Sequence, residues 1–362
     1  MAVRLLLTTS YRSNVKVNDR DICIAIDAMG GDHAPEEIVT GACQAARVLD
    51  CRIALVGDRA RIEEIAKQAG GLPPTIAVVH AEGAVAMNEA PAAAVRRGPS
   101  TSMGKMVDLV REGTAHAAFS AGNSGAFLAI ATVRLRTLPG IARPAIATAW
   151  PARKGPMLLL DAGANVDCRP EWLMQFGIMG SAYSHFVLGV ENPKVGLLSV
   201  GEEEDKGNGL TEASFPLLEA APINFVGNVE GRDLLLGDAD VVVCDGFVGN
   251  VALKLAEAAG EYFFGALLEH AKANVRGMIG LQILKPALRA LRKRFDHREY
   301  GGAPLLGVRG ICLVGHGRAD ARAIISACRT ALRAVRQDLV GSIGGMVAAT
   351  STSPPAAEAS SS

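Results

Sequence analysis

The sequence predicts an α/β fold built on a largely parallel sheet flanked by helices, and three observations predict it. Short β-branched runs alternate with longer amphipathic stretches, the pattern of strand–helix units. Hydrophobic residues make up 49% of the 362 residues and charged residues 20%, enough for a sizeable core. Glycine is in excess, at 40 residues, and polar glycine-rich turns follow predicted strands, where such folds collect ligands.

Taken in order, the strand candidates are Ile22–Asp27, Arg52–Gly57, Thr75–His80, Ala115–Ser120, Ala145–Ala149, Met157–Asp161, Lys194–Val200, Ile223–Gly227, Val241–Asp245 and Gly310–Gly315. Each is a short apolar run bounded by glycine, proline or polar residues. Between many of them lie stretches with helical spacing: Pro35–Leu49, Arg59–Ala69, Thr101–Glu112, Ser124–Leu135, Glu171–Leu188, Thr211–Glu219, Phe247–Ala273 and Ala319–Val340. Residues 21–340 read as a single α/β catalytic domain. Residues 1–20 read as an extension outside the fold, and residues 341–362, rich in Ala, Ser, Gly and Pro, as a flexible tail.

Composition narrows the function. Lys+Arg and Asp+Glu both total 37, so no overall field recruits nucleic acid. Aromatics at 4% argue against base-stacking platforms. Seven cysteines without a CxxC pair suit reduced thiols in a cytoplasmic protein. The apolar run at Leu5–Leu7 is too short for a signal-peptide core, and nothing later reaches ~20 apolar residues.

Five turns concentrate the unusual residues: Asp27 to Pro35, Ser120 to Gly125, Asp161 to Asp167, Gly201 to Asn208 and Asp245 to Asn250. All follow predicted strands, which points to an active cleft at their carboxyl ends. No common nucleotide fingerprint is present: Gly207-Asn-Gly209 does not continue as GxGxxG, and GxxxxGK[ST] is missing. The histidines form no HExxH and the carboxylates show no metal spacing, so neither a metal nor an organic cofactor is expected.

Ser124, at a strand-to-helix junction, suits phosphate or a developing oxyanion through helix N–H groups, or simply caps the helix. His316-Gly-Arg318-Ala-Asp320 offers the same geometry plus a guanidinium. Arg96 and Arg97 place two cations before another helix start. Lys206, behind a run of acids, reads either as a surface ion pair or as a group that polarises a carbonyl or holds an anion. Lys272 to Arg298 carries eight cations and one acid, Asp296, while Leu281, Leu284, Leu288, Leu291 and Phe295 share one helix face. Pro286 within it marks a kink or a first turn. Such a segment is a core-facing helix with a solvated side, or a surface helix for anionic lipid or an acidic partner.

Several long motifs carry a resemblance. Asp27-Ala-Met-Gly-Gly-Asp-His-Ala-Pro35, Arg96-Arg-Gly-Pro-Ser-Thr-Ser-Met103, Ser120-Ala-Gly-Asn-Ser-Gly-Ala126 and Leu160-Asp-Ala-Gly-Ala-Asn-Val-Asp167 resemble the PlsX family. So do Leu198 to Asn208, Asn228 to Asp233, Asp245 to Asn250 and Tyr300 to Pro304. The likeness runs from about Asp21 to Val340. It implies a fold similar to phosphotransacetylases and isocitrate-dehydrogenase-like enzymes, with a protruding amphipathic helical segment. It also implies a phosphate acyltransferase that makes acyl phosphate from acyl-acyl carrier protein and inorganic phosphate, working as a homodimer at an anionic membrane surface reached through Lys272–Arg298.

That chemistry sets two demands: phosphate must be held against a thioester, and the tetrahedral oxyanion must be stabilised. Lys206 is the expected electrostatic catalyst, with Asn123, Ser124, Asn208 and Asn250 as donors. Asp27, Asp161 and Asp245 are expected to orient those donors. Gly30, Gly31, Asp32, His33, Arg96, Arg97, Gly122, Gly125, Asn165, Asn228, Gly246, His316 and Arg318 are expected around the substrate. All are expected to gather at one edge of the sheet. Rival readings are a phosphotransacetylase acting on short acyl-CoA and a non-catalytic scaffold for carrier protein or lipid.

Overall fold

The alternation read along the chain builds one mixed sheet of eleven strands in the computed structural model, which describes residues 18–294 and 301–351. The amino-terminal part comprises β1 (Cys23–Asp27), α1 (Glu36–Val48), β2 (Arg52–Gly57), α2 (Arg59–Gln68), β3 (Ile76–His80), α3 (Pro91–Arg97), α4 (Ser102–Arg111), β4 (Ala117–Ser120) and α5 (Ser124–Leu135). Next come β5 (Ala145–Ala152), β6 (Gly155–Leu160), α6 (Pro170–Tyr183), β7 (Lys194–Leu198), α7 (Gly209–Ala220), β8 (Asn224–Val229), α8 (Asp233–Leu236) and β9 (Val241–Val243). The chain then forms α9 (Gly246–Lys272), α10 (Val275–Arg294), β10 (Ala303–Leu306), β11 (Ile311–Val314), α11 (Ala321–Arg336) and α12 (Leu339–Ser351).

The strand order is β3-β2-β1-β4-β11-β10-β5-β6-β9-β7-β8. The first five strands of that order run parallel, as do the last four. Between them, β10 is antiparallel to β11 and to β5, and β5 is antiparallel to β6. These three reversals leave the two parallel blocks pointing in opposite directions. The carboxyl ends of β1, β4 and β11 therefore lie at one edge of the sheet, and those of β6, β9 and β7 at the other.

Both sheet faces are buried. Along β1, Ile24 and Ile26 enter one core while Cys23 and Ala25 enter the other, as the two-residue period of a strand requires. α11 packs Ile324, Ala327, Cys328 and Ala331 into the first core. All seven cysteines are free thiols and six are buried.

Several expectations change. β10 carries Pro304 and has only four residues, too short and too proline-marked to read as a strand. The expected helix over Ala319–Val340 is two helices, α11 and α12, divided where Asp338 takes φ 44°. The expected tail from Gly341 is helical to Ser351, because Ile343, Met346 and Val347 pack into the core; its remainder, 352–362, lies outside the described residues. The end of the expected amino-terminal extension touches the domain, with Asp19 paired to Arg336 and Arg20 to Asp50; residues 1–17 lie outside the described residues. Pro286 sits inside α10.

Candidate active site

The sequence-marked residues fall into two groups rather than one. From β4 to β9 are five strand spacings, about 24 Å at the usual ~4.8 Å each. One small substrate does not span that distance, so the expectation of a single gathering at one sheet edge is corrected. Its cause is the reversed polarity of the second block, which strand-by-strand reading does not show.

The first group lies at the carboxyl ends of β1, β4 and β11. Asp27 is buried and accepts from Ser120 Oγ at 2.8 Å and from the Met29 N–H at 3.2 Å. Burial pushes its carboxyl above the usual range, against the bonds from Ser120 and Met29. A Cβ at Gly30 would meet Asp27 Oδ2 and the Gly122 amide, so these two turns are in direct contact. The Asp32 N–H donates to Gly317 O at 2.7 Å, joining the β1 and β11 turns.

Several of this group's polar side chains have structural employment. Asn123, and not Ser124, caps α5: its Oδ1 accepts from the Ala126 N–H at 3.0 Å, while its Nδ2 donates to Glu89 O at 2.8 Å and to Ala86 O at 3.3 Å. With both ends of its amide engaged, the expected role of Asn123 as an oxyanion donor is not supported by the geometry. Ser124 is an exposed first residue of α5 and Gly125 follows it. Arg97 is tied to Glu89 at 2.9 Å. Asp320 caps α11, and the His316 Nδ1 accepts from the Arg318 N–H at 3.2 Å. Gly31 is half-buried, whereas Asp32, His33, Arg96, His316 and Arg318 are exposed.

The second group lies at the carboxyl ends of β6, β9 and β7, which are neighbours in the sheet. Asp161 is buried and organises the turn after β6. Its Oδ1 accepts from the N–H groups of Ile146, Gly163 and Ala164, and its Oδ2 from the N–H and Nδ2 of Asn165 at 2.7 and 2.9 Å. Burial raises the carboxyl above its ordinary value, opposed by those donors. Asn165 Nδ2 also donates to Pro144 O at 2.8 Å.

The turn after β9 locks onto this one. Asp245 caps α9 by accepting from the Val248 N–H at 2.8 Å, and the Gly246 N–H donates to Asn165 O at 2.7 Å. Added Cβ atoms at Gly246 and Gly249 would lie 2.7 Å from Asn165 O and 1.9 Å from Asp161 O. Only glycine lets α9 begin this close to the turn. Asn250 is exposed, and a Cβ at Gly163 would stand 3.5 Å from its side chain.

The turn after β7 carries the cation. Lys206 is exposed, and despite four acids in the preceding four positions it makes no ion pair among the described residues. Glu202 is instead taken by Arg232 at 2.7 Å. The backbone of Lys206 is fixed from two sides: its carbonyl accepts from Ser199 Oγ at 2.7 Å and from Asn228 Nδ2 at 3.4 Å. Asn228 Nδ2 also donates to Glu203 O at 2.7 Å, and its Oδ1 is buried without a partner. Asn208 Oδ1 caps α7, accepting from the N–H groups of Leu210 and Thr211 at 3.0 Å each. Its oxygen is therefore structural, while its amide nitrogen makes no bond among the described residues. Sequence reading missed Ser199, and a serine one residue past a strand end carries no distinguishing pattern.

Fold and turns together define an α/β protein of the architecture seen in phosphotransacetylases. The EutD phosphotransacetylase from Staphylococcus aureus superposes with TM-score 0.60 at 16% identity, over 92% of this chain and 98% of that one. A phosphotransacetylase from Streptococcus pyogenes gives 0.61 at 16%, over 88% and 95%. A sequence profile described as fatty acid synthesis protein matches residues 22–341, and the chain belongs to that family. It is 52% identical over 320 residues to the phosphate acyltransferase of Nostoc punctiforme, covering 86% of this chain and 92% of the relative. With the phosphate acyltransferase of Moorella thermoacetica it shares 48% over 325 residues, 89% and 95% of the two chains. The family resemblance read from the motifs is borne out.

Proposed function

We propose that this chain transfers a fatty acyl group from the thioester of acyl-acyl carrier protein to inorganic phosphate, giving acyl phosphate and free carrier thiol, at the Lys206 edge. The observation that carries the reading is an unpaired cation, Lys206, on a braced turn beside the Asp161 and Asp245 turns, in a chain about half identical to phosphate acyltransferases.

Near neutral pH, phosphate is already an anionic oxygen nucleophile, so the protein supplies no nucleophile of its own. A phosphate oxygen attacks the thioester carbonyl carbon and the tetrahedral oxyanion collapses by breaking the C–S bond. The carrier thiolate leaves as a good leaving group, its pKa lying near ~8.5. Lys206 offsets repulsion between phosphate and the developing oxyanion, and Asn208 Nδ2 and Asn250 supply donors. Asp161 acts on the turn rather than on substrate, because a bare carboxylate would repel phosphate.

The α9–α10 pair serves association. Of α9, only Gly246 and Gly249 are buried, while Phe247, Val251, Leu255, Tyr262, Phe263, Ile279 and Ile283 are exposed large hydrophobics. An apolar surface of that extent marks an interface. Lys272, Arg276, Lys285 and Arg289 accompany it as exposed cations, suited to an anionic membrane surface and to homodimer contacts; Phe295, Asp296 and Arg298 lie outside the described residues. No described helix is long and apolar enough to cross a membrane.

Incubation with acyl-acyl carrier protein and phosphate, followed by assay of free thiol and hydroxylamine-trapped acyl phosphate, tests the reaction. Both products are expected to appear together and in proportion to phosphate. Thiol release independent of phosphate, or turnover of short acyl-CoA alone, would overturn the reading. Salt-titrated flotation with anionic liposomes, with and without carrier protein, tests the association: binding that weakens as salt rises is expected.

A further inference from the structure

On the sheet face covered by α6 and α11, the packing opens into a cavity of about 190 Å³. Among the described residues its walls include Leu158 of β6, Pro304 of β10, and Val187 and Leu188 from the turn that follows α6. That turn, Ser184–Leu188, is a π-helical widening of the helix end, a local departure that recurs at functional sites. Three polar side chains line the same space: Tyr183, Thr330 and Arg333.

Their situation is unusual for a core. Tyr183, the last residue of α6, is only 3% exposed, yet its hydroxyl has no hydrogen-bond partner among the described residues. The hydroxyl keeps access to the open space that Tyr183 lines, where a ligand can bond it. Tyr183 and Arg333 both line the cavity; burial pushes the phenol above its ordinary pKa, opposed by the Arg333 charge. Arg333 is exposed at the mouth, on the last turn of α11, with no ion pair among the described residues. Thr330 stands one turn earlier on the same helix face.

One cation, two hydroxyls and apolar walls select an amphiphile with a single negative charge. A carboxylate matches a guanidinium in bidentate fashion, whereas a phosphate dianion would leave a charge uncompensated among these walls. The volume corresponds to about six water-sized units at ~30 Å³ each, comparable to an aliphatic chain of about six carbons. We propose that this cavity is a binding site for a short aliphatic monocarboxylate, with the carboxylate on Arg333 and the Tyr183 hydroxyl and the tail against Leu158, Val187, Leu188 and Pro304. It is separate from the Lys206 edge: α6 begins beside the Asp161 turn and reaches the cavity at its fourteenth residue, about 20 Å along its axis at ~1.5 Å per residue.

Calorimetric titration of the full chain with sodium hexanoate tests this, with 1-hexanol and hexylammonium as controls and thermal melts to verify folding. Saturable one-to-one binding in the millimolar range is expected, for hexanoate and for neither control. Arg333→Ala, at an exposed position, should weaken it at least ~10-fold. Tyr183→Phe, which keeps the ring volume, should weaken it about 3-fold or more, while Lys206→Ala should leave it unchanged. Absence of saturable binding would overturn the proposal. So would unchanged affinity in the folded Arg333→Ala variant, equal binding of 1-hexanol or inorganic phosphate, or loss of hexanoate binding in Lys206→Ala.

Discussion

The two edges of the sheet are built from the same vocabulary of Asp, Asn and Gly after a strand, but they use it differently. At the β1–β4–β11 edge, Asn123 spends both ends of its amide on backbone and Arg97 is neutralised by Glu89. At the β6–β9–β7 edge, the carboxylates and glycines also serve the scaffold, yet they end by presenting Lys206 without a partner. Polar glycine-rich turns after strands therefore do not by themselves mark chemistry. Arg96 and Arg318 at the first edge are exposed cations without an ion pair among the described residues as well. What sets Lys206 apart is its setting: a turn braced by Ser199 and Asn228 beside the Asp161 and Asp245 turns.

The largest effect expected from this contrast is on catalysis. Lys206→Ala should lower the turnover number by roughly 10²–10³, the range for removing one preorganised oxyanion-stabilising group, with the fold unchanged in thermal melts. Initial rates across phosphate concentrations check it.

Second in size is the packing at the start of α9. Gly249→Ala drives a Cβ against Asp161 O and should destabilise the chain by about 1–3 kcal/mol as an overpacked site, measurable by urea unfolding. A neutral result would mean that α9 is not seated on the Asp161 turn.

Asn123→Ala removes a helix cap and should cost about 1 kcal/mol, with turnover within about 3-fold of the parent. A loss of turnover as large as that of Lys206→Ala would erase the distinction between the edges.

The smallest expected effect is a pH dependence at Asp27. Because burial raises its carboxyl pKa in the folded chain, the native state holds the proton more tightly than the unfolded state. Stability at this site is thus greatest below the unfolded value of about 3.9 and falls as pH rises through the raised folded value. Asp27→Asn lacks that fall, so the variant should gain on the parent as pH rises from 4 to 8 in paired melts. A constant difference would contradict the assignment.

Much of this was legible in the sequence. Ten strand segments and the α9 start follow from apolar runs bounded by Gly and Asp, and the Asp161, Lys206 and Asp245 turns were marked by composition. What was not legible is long-range. Strand polarity across the sheet depends on β10, whose four residues include Pro304. The employment of Asn123 depends on Glu89 and Ala86, more than thirty residues earlier in the chain. The helix from Leu339 reads as a small-residue tail until its apolar residues find the core.

The most direct test sets the edges against each other: acyl phosphate formation by Lys206→Gln and Arg318→Gln, each removing one exposed cation from a different edge. The account predicts a loss of roughly 100-fold or more for Lys206→Gln and a rate within about 3-fold of the parent for Arg318→Gln. The reverse order, or equal losses, would contradict it.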